Sequence, residues 1–292
     1  MSAKPPRVSV IMPVYNGMKY VARALESLQR QTLKDFEAVL VDDGSKDGSA
    51  EAIRPFLEDP RFRLVSKGHE GIPQTRNRAL AAAGGLCLAF LDQDDLYQPR
   101  KLEAEAAVLD ADPGVGAVHT GVERIDWEGK SLGPRTPPAR TDGDLFDAFL
   151  DSGVAAPLLS VMVRREVYET VGPFDESLFG TDDLDWLLRV AKAARFAFVP
   201  EPLVCQRLRP GTAGQTERMY TDRFVLAGKM RRAWPERRAQ IDRFENAARY
   251  MYGSFLLSRR RAEEARREFA AAWRLRPADW RAAAKWGMTW KQ

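Results

Sequence analysis

Residues 87–99 read CLAFLDQDDLYQP. Leu88, Ala89, Phe90 and Leu91 make a short apolar run that breaks abruptly into Asp92, Asp94 and Asp95, then Tyr97 and Pro99. A buried strand ending in clustered carboxylates puts negative charge at the rim of a sheet, which is costly unless it is compensated. A hard divalent cation is the usual compensation, and a cation held there grips a diphosphate.

The segments before this run share its form. Residues 8–12 are β-rich and stop at Pro13, and residues 36–41 are a second apolar strand ending at Asp42, Asp43, Gly44 and Ser45. Residues 62–65 predict a third short strand, and 86–91 the fourth. Between them, residues 20–31 carry Val21, Ala24, Leu25 and Leu28 at helical spacing, residues 49–57 and 73–83 are helical, and Gly84-Gly85 closes the last. Strands alternating with helices mean crossover units and a largely parallel sheet, and near-continuous apolar strands suit one buried on both faces. Ligands of such sheets sit beyond the carboxyl ends of the strands. Three loaded loops fall there: Pro13-Val14-Tyr15-Asn16, Asp42 to Ser45, and Asp92 to Asp95.

The chain has 292 residues, 45% hydrophobic and 29% charged, ordinary values for a globular protein with one large core or a domain plus an extension. No apolar run approaches the roughly 18 residues that span a membrane, and MSAKPPRVSV lacks a signal-peptide apolar region, so a cytoplasmic location is expected. Cys87 and Cys205 read as buried free thiols, and two histidines, His69 and His119, make a histidine-based zinc site a poor expectation. Residues 207–292 hold 21 Lys and Arg against 9 Asp and Glu, whereas residues 1–206 hold 24 against 32. The two portions are expected to do different jobs.

Beyond the fourth strand, the Gly, Pro and Ser of residues 129–141 predict a mobile loop. Residues 184–194 predict an amphipathic helix that Thr181 or Asp182 would cap, and 196–199 and 203–207 predict two short strands. From Glu217 the chain is helical and basic, and Leu256, Ala265, Phe269, Ala272, Leu275 and Pro277 resemble one tetratricopeptide-type hairpin. One such hairpin cannot bury its own face, so it is expected to pack on the main domain. The expected division is residues 1–215, with a nucleotide-binding half 1–100 and an acceptor-side half 101–215, followed by a basic helical extension 216–292.

VSVIMPVYNG, FEAVLVDDGSKDGS, GIPQTRNRALAAAGG, FLDQDDLYQP and VGPFDESLFGTDDLDWLLR, in that order from about Pro6 to Thr212, resemble a family 2 glycosyltransferase. That resemblance implies an α/β, GT-A-like fold: a mostly parallel central sheet flanked by helices. It also implies an inverting, metal-dependent transferase that moves a sugar from a nucleoside diphosphate donor, most often a UDP-sugar, to a glycan or lipid-linked acceptor in surface polysaccharide assembly. Pro13, Tyr15 and Asn16 match the loop lining the nucleobase pocket, where a Tyr offers a stacking face. Asp43, with Asp42 beside it, matches the carboxylate that accepts from the nucleobase or ribose, and two adjacent carboxylates exceed what an Asp-Gly turn needs. Arg76 matches an arginine near the base and phosphates. Asp92-Gln93-Asp94 fits the Asp-x-Asp pattern, with Asp94 the Mn²⁺ or Mg²⁺ ligand and Asp92 beside the nucleotide. Asp183, with Asp182, matches the carboxylate pair whose second member is the general base. Arg207 and Arg209 fall in a segment that would meet the leaving diphosphate. Arg209 stands where the family has a histidine, and His69 where it has an asparagine, so His69 receives no role. Trp186 reads as core.

Other classes fit less well. A sugar-phosphate nucleotidyltransferase would want a Gly-rich, Lys- or Arg-bearing loop after the first strand, and residues 13–17 have none. A nucleotide-sugar-binding protein without activity has no need of a second Asp pair, and a dinucleotide oxidoreductase would need a Gly-x-Gly-x-x-Gly turn. The dispersed arginines of the C-terminal helices, with Trp273, Trp280, Trp286 and Trp290, suit a solvated face or peripheral contact with an anionic membrane better than nucleic acid.

Overall fold

The structure, a computed structural model, describes residues 4–135, 141–152, 156–208 and 216–278. Arg209 and the tryptophans at 280, 286 and 290 lie outside the described residues. The first half runs β1 (Val8–Val14), α1 (Val21–Gln29), β2 (Phe36–Asp42), α2 (Ser49–Ile53), β3 (Phe62–Ser66), α3 (Ile72–Ala82), β4 (Cys87–Phe90), β5 (Leu96–Tyr97) and α4 (Lys101–Ala111). The second runs β6 (Val115–Ile125), β7 (Ser131–Pro134), α5 (Phe146–Ser152), β8 (Val161–Arg164), α6 (Arg165–Val171), α7 (Asp182–Ala193) and β9 (Arg195–Arg207). Helices α8 (Glu217–Ala233), α9 (Arg238–Ser258) and α10 (Ala262–Leu275) follow.

The strands form one sheet in the order β3-β2-β1-β4-β8-β6-β9-β5, with β7 paired to β6. The β3-β2-β1-β4 section is parallel throughout, whereas β8 joins β4 and β6 antiparallel and β6 joins β9 parallel. Register aligns Val14, Asp42 and Ser66 at one edge, and Ile11 with Phe90. The loops after β1, β2 and β4 therefore leave the sheet side by side.

The apolar strands are continuous because both faces are covered. Val8, Val10 and Met12 pack with Val21, Leu25 and Leu28 of α1 and Leu102 of α4 on one face. Ile11, Val39 and Leu88 pack on the other with Leu80 of α3, Phe149 of α5 and Leu187 of α7. That second cluster also takes in Leu226, Ala227 and Met230 of α8 and Ile241 and Phe244 of α9. The core thus continues without a break across position 215, into the segment that composition set apart.

Three local expectations are revised. Residues 131–134 are a strand paired to β6 rather than loop, because β6 offers its edge to a hairpin closed by Asp126, whose Oδ1 accepts from the Glu128 and Lys130 N–H groups. Strand β9 is continuous across Pro200 and Pro202, and register shifts near Gly121 absorb the prolines. Helix α7 starts at Asp182 with no side-chain capping bond from Thr181. Helices α9 and α10 do form a hairpin. They approach closely at Gly253, where an added Cβ would lie 2.8 Å from the Phe269 ring.

Candidate active site

At the carboxyl edge of β1, β2 and β4 lies a cavity of about 670 Å³. Pro13, Tyr15, Asp43, Arg76, Asp92, Asp94, Asp95 and Arg207 line it, so the sequence-predicted loops do converge. Ile72, Phe179, Gly180 and Met219 supply an apolar side to the same cavity. Asn16 and Asp42 serve the wall instead. Asn16, at φ 47°, accepts from the Lys46 N–H through Oδ1 at 2.9 Å, and Asp42 Oδ1 accepts from the Ser45 N–H at 3.2 Å. In the same turn Gly44 takes φ +74°, a left-handed conformation that favours glycine, and an added Cβ there would lie 3.0 Å from the His69 backbone nitrogen.

Asp43 is almost fully buried, and both of its oxygens are taken. Lys67 Nζ and the Glu70 N–H (2.9 Å) donate to Oδ1; His69 Nδ1 (2.8 Å) and the Gly71 N–H (2.9 Å) meet Oδ2. Burial works against the charge, but Lys67 and the two N–H groups outweigh it and hold the carboxyl below the ordinary carboxylate range. His69 in turn stacks on Tyr15, ring centroids 4.1 Å apart and 16° from parallel. The residue without an assigned role thus belongs to the network around Asp43 and Tyr15, and Lys67 joins it at Asp43. Gln93, the middle of the Asp-x-Asp run, straps the first loop to the third. Its Oε1 accepts from the Tyr15 N–H at 2.8 Å and its Nε2 donates to the Tyr15 carbonyl at 2.9 Å. Neither Lys67 nor Gln93 carries a sequence signal beyond its place beside a loaded loop.

The acidic run divides its labour. Asp95 points inward, where its Oδ1 accepts from the Arg207 N–H at 2.7 Å. Burial, then the charges of Asp92 and Asp94, push its carboxyl well above the ordinary range. Arg207 is buried beneath the loop: Nε donates to the Asp94 carbonyl (2.8 Å) and Nη1 to the Asp126 carbonyl (2.9 Å), with the guanidinium 4.7 Å from the Tyr20 ring centroid. Those bonds brace the turn from which Asp94 faces the cavity. Among the described residues no three His, Cys, Asp or Glu side chains gather as a metal cage. A Mg²⁺ or Mn²⁺ ion bound through one or two carboxylates plus substrate phosphate does not need one, so Asp94, with Asp92 at 43% side-chain exposure, fits such an ion.

The second carboxylate pair, at the start of α7, is not among the residues that line the cavity. Arg76 joins it to the first: Nη1 donates to Asp182 Oδ2 at 2.7 Å and Nη2 to Asp92 Oδ1 at 3.1 Å. Asp183 accepts the Leu184 N–H through Oδ1 at 2.7 Å. Removal from water, then the charge of Asp182, raise its carboxyl to about 6 against the opposing pull of Arg76. Asp185, the third acid of the turn, pairs with Lys229 of α8 at 2.7 Å and with Arg189 at 3.0 Å. Trp186 is core, fully buried and stacked on Phe174 at 4.9 Å. Cys87 and Cys205 are buried free thiols.

The chain resembles known proteins along most of its length. The profile described as glycosyl transferase family 2 matches residues 9–171. An uncharacterized glycosyltransferase of Nostoc sp. (strain PCC 7120) is 34% identical over 175 residues, which cover 58% of this chain and 54% of that protein, so the chain spans about half the length of this curated relative. Residues 1–349 of S. aureus TarS, solved in complex with UDP-GlcNAc, superpose with a TM-score of 0.72 at 19% identity, over 97% of this chain and 90% of that one. The mannosyltransferase PcManGT from Pyrobaculum calidifontis, in complex with GDP-Man and Mn²⁺, gives a TM-score of 0.58 at 23% identity, over 92% and 76%. With the sheet edge, the acidic run and this extent of match, the chain belongs to glycosyl transferase family 2 and has the GT-A fold.

Proposed function

We propose that the protein is an inverting, metal-dependent glycosyltransferase that moves a sugar from a UDP-sugar to a hydroxyl of a glycan or lipid-linked acceptor in surface polysaccharide assembly. The observation that carries this reading is Asp183. It is a carboxylate with raised proton affinity, linked through Asp182 and Arg76 to the acidic run of the cavity. In the reaction Asp183 takes the proton of the acceptor hydroxyl as that oxygen attacks the anomeric carbon. The bond from that carbon to the diphosphate breaks, and its electron pair leaves with the nucleoside diphosphate. Asp94 would hold a Mn²⁺ or Mg²⁺ ion, which when bound would supply positive charge to offset that of the leaving diphosphate.

The chain's own residues do the positioning. Tyr15 and His69 offer a flat face at the nucleobase end, and Asp43 fixes the loop that carries His69. Ile72, Phe179 and Met219 give the cavity an apolar side. No described helix is long and apolar enough to cross a membrane. Exposed Arg259, Arg260, Arg267 and Arg274 give the C-terminal helices a surface for peripheral contact with anionic lipid at the cytoplasmic face, where a lipid-linked acceptor would lie.

The test is a thermal-shift screen of UDP- and GDP-sugars with MnCl₂, followed by turnover of the stabilising donor by wild type and Asp183→Asn. Stabilisation by a UDP-sugar, with turnover lost in the variant, is expected. Stabilisation by GDP-sugars alone would move the donor to the other base, and equal turnover by both proteins would remove Asp183 from the mechanism.

A further inference from the structure

We propose that Arg76 is the positioning residue for the base: it acts through Asp182 and ties the base's turn to the metal run. This rests on the transferase reading above. It departs from the simpler expectation that Arg76 binds nucleotide phosphate.

Arg76 is 7% exposed and sits on α3, between the two halves of the site. Its two terminal nitrogens are committed to carboxylates from opposite sides, Asp182 at 2.7 Å and Asp92 at 3.1 Å. Its guanidinium also lies 5.6 Å from the Phe174 ring centroid. A planar fork serves two carboxylates at fixed geometry, which a point-charge ammonium does not. Neighbours on α3 make the same crossing. Asn77 Nδ2 donates to the Phe174 carbonyl at 3.0 Å and its Oδ1 accepts the Phe174 N–H at 2.9 Å, while Gln74 Nε2 donates to the Glu176 carbonyl at 3.1 Å. The turn that delivers Asp182 and Asp183 is thus strapped to the donor half, and Arg76 is the strap nearest the chemistry.

The consequence is a division of the carboxylate pair. Asp182 is 2% exposed and held by Arg76, so its charge is compensated and its side chain fixed. Asp183 is left as the member that accepts a proton. Through Asp92 the same guanidinium makes the placement of Asp183 depend on the order of the metal run. A misplacement of about 1 Å costs about 10²-fold in rate, so a strap of this kind acts on turnover rather than on donor affinity.

The experiment uses the full chain, with UDP-GlcNAc and MnCl₂ as probes. In the free protein, amide hydrogen exchange of residues 180–186 should quicken in Arg76→Gln and in Asp182→Asn, and quicken no further in the double variant, because the two side chains act as one unit. Arg76→Lys should fall between wild type and Arg76→Gln. In steady-state turnover, kcat should drop about 10²-fold in Arg76→Gln while KM for UDP-GlcNAc stays within about threefold. A raised KM with kcat preserved would make Arg76 a donor-phosphate ligand and overturn the proposal. So would unchanged exchange at 180–186, or additive effects of the two substitutions. If wild type does not turn over UDP-GlcNAc, that donor assignment fails, and the exchange comparison still decides the role of Arg76. If Arg76→Gln does not fold, Arg76→Lys carries both comparisons, and wild-type exchange and kinetics in that variant overturn the proposal.

Discussion

A carboxylate whose proton affinity is raised to about 6 has its working range cut at that pH. In the proposed mechanism Asp183 takes the acceptor's proton only when ionised, above that pH, and below it the carboxyl already holds a proton. The acid limb of the kcat profile should therefore fall with an apparent pKa near 6, whereas an ordinary exposed Asp would hold activity to about 4. Asp183→Asn should lower kcat by about 10²- to 10⁴-fold and leave UDP binding intact. The same shift has a stability sign. The folded state holds the Asp183 proton more tightly than the unfolded chain, so stability falls as pH rises from 3.8 to about 6 and stays reduced above. Asp183→Asn should accordingly raise the melting temperature at pH 7.5, by an amount corresponding to at most about 3 kcal/mol, and change it little near pH 3.5. A destabilised variant at pH 7.5 would show that the charge is compensated by more than Arg76.

At the scale of elements, helix α4 shows what the sequence conceals. Its buried face holds Lys101, Leu102, Glu105, Ala106 and Leu109, and Lys101 and Glu105 are fully buried, paired at 2.8 Å. Two charges on the core face erase the apolar periodicity by which helices are recognised, so residues 101–111 carry no readable amphipathic stripe. Burial pushes Glu105 up to about 7 against the pull of Lys101, and pushes Lys101 down. Lys101→Met leaves that carboxylate alone in the core and should cost about 3–5 kcal/mol, whereas Lys101→Met with Glu105→Leu should recover most of it. Urea-unfolding midpoints of the two proteins check this, and a double variant no better than the single would mean that the pair contributes net stability. The parallel strands β1, β2 and β4 were legible because their apolar runs are interrupted only by Ser9 and Glu37 near their starts. Strand β9 reads as two because Pro200 and Pro202 break its pattern, and β7 reads as loop because its Ser, Gly and Pro are edge-strand residues. The cavity's acids were legible as clustered charge at strand ends. His69, Lys67 and Gln93 were not, since their roles come from contacts across sequence separations of 24 to 78 residues.

Over the whole molecule, charge and packing divide the chain differently. Composition turns basic near position 207, yet α8 and the start of α9 complete the core on the α7 face of the sheet. Many of the C-terminal cations are spent inside the protein. Arg231 pairs with Asp242 and Glu245, Arg249 with Glu245 and Glu268, and Lys229 with Asp175 and Asp185 beside the candidate base. Asp222 of α8 accepts the Phe179 N–H, and Met219 lines the cavity beside Gly180. Burial of Leu226, Met230, Ile241 and Phe244 is worth roughly 1.5–3 kcal/mol each, roughly 6–12 kcal/mol together. That rivals the roughly 5–15 kcal/mol that holds a domain of ordinary stability. A protein ending at residue 215 should therefore lose cooperative unfolding and nucleotide-induced stabilisation. One ending at residue 258, which keeps α8 and α9, should retain a sigmoidal melt and a response to UDP with Mn²⁺. Charge reversal at the exposed Arg260, Arg267 and Arg274 should leave that melt within about 0.5 kcal/mol of wild type and reduce only sedimentation with anionic liposomes. Cooperative melting of the protein ending at 215 would support a domain boundary at that position, and make α8 a support for the active site that the core can do without.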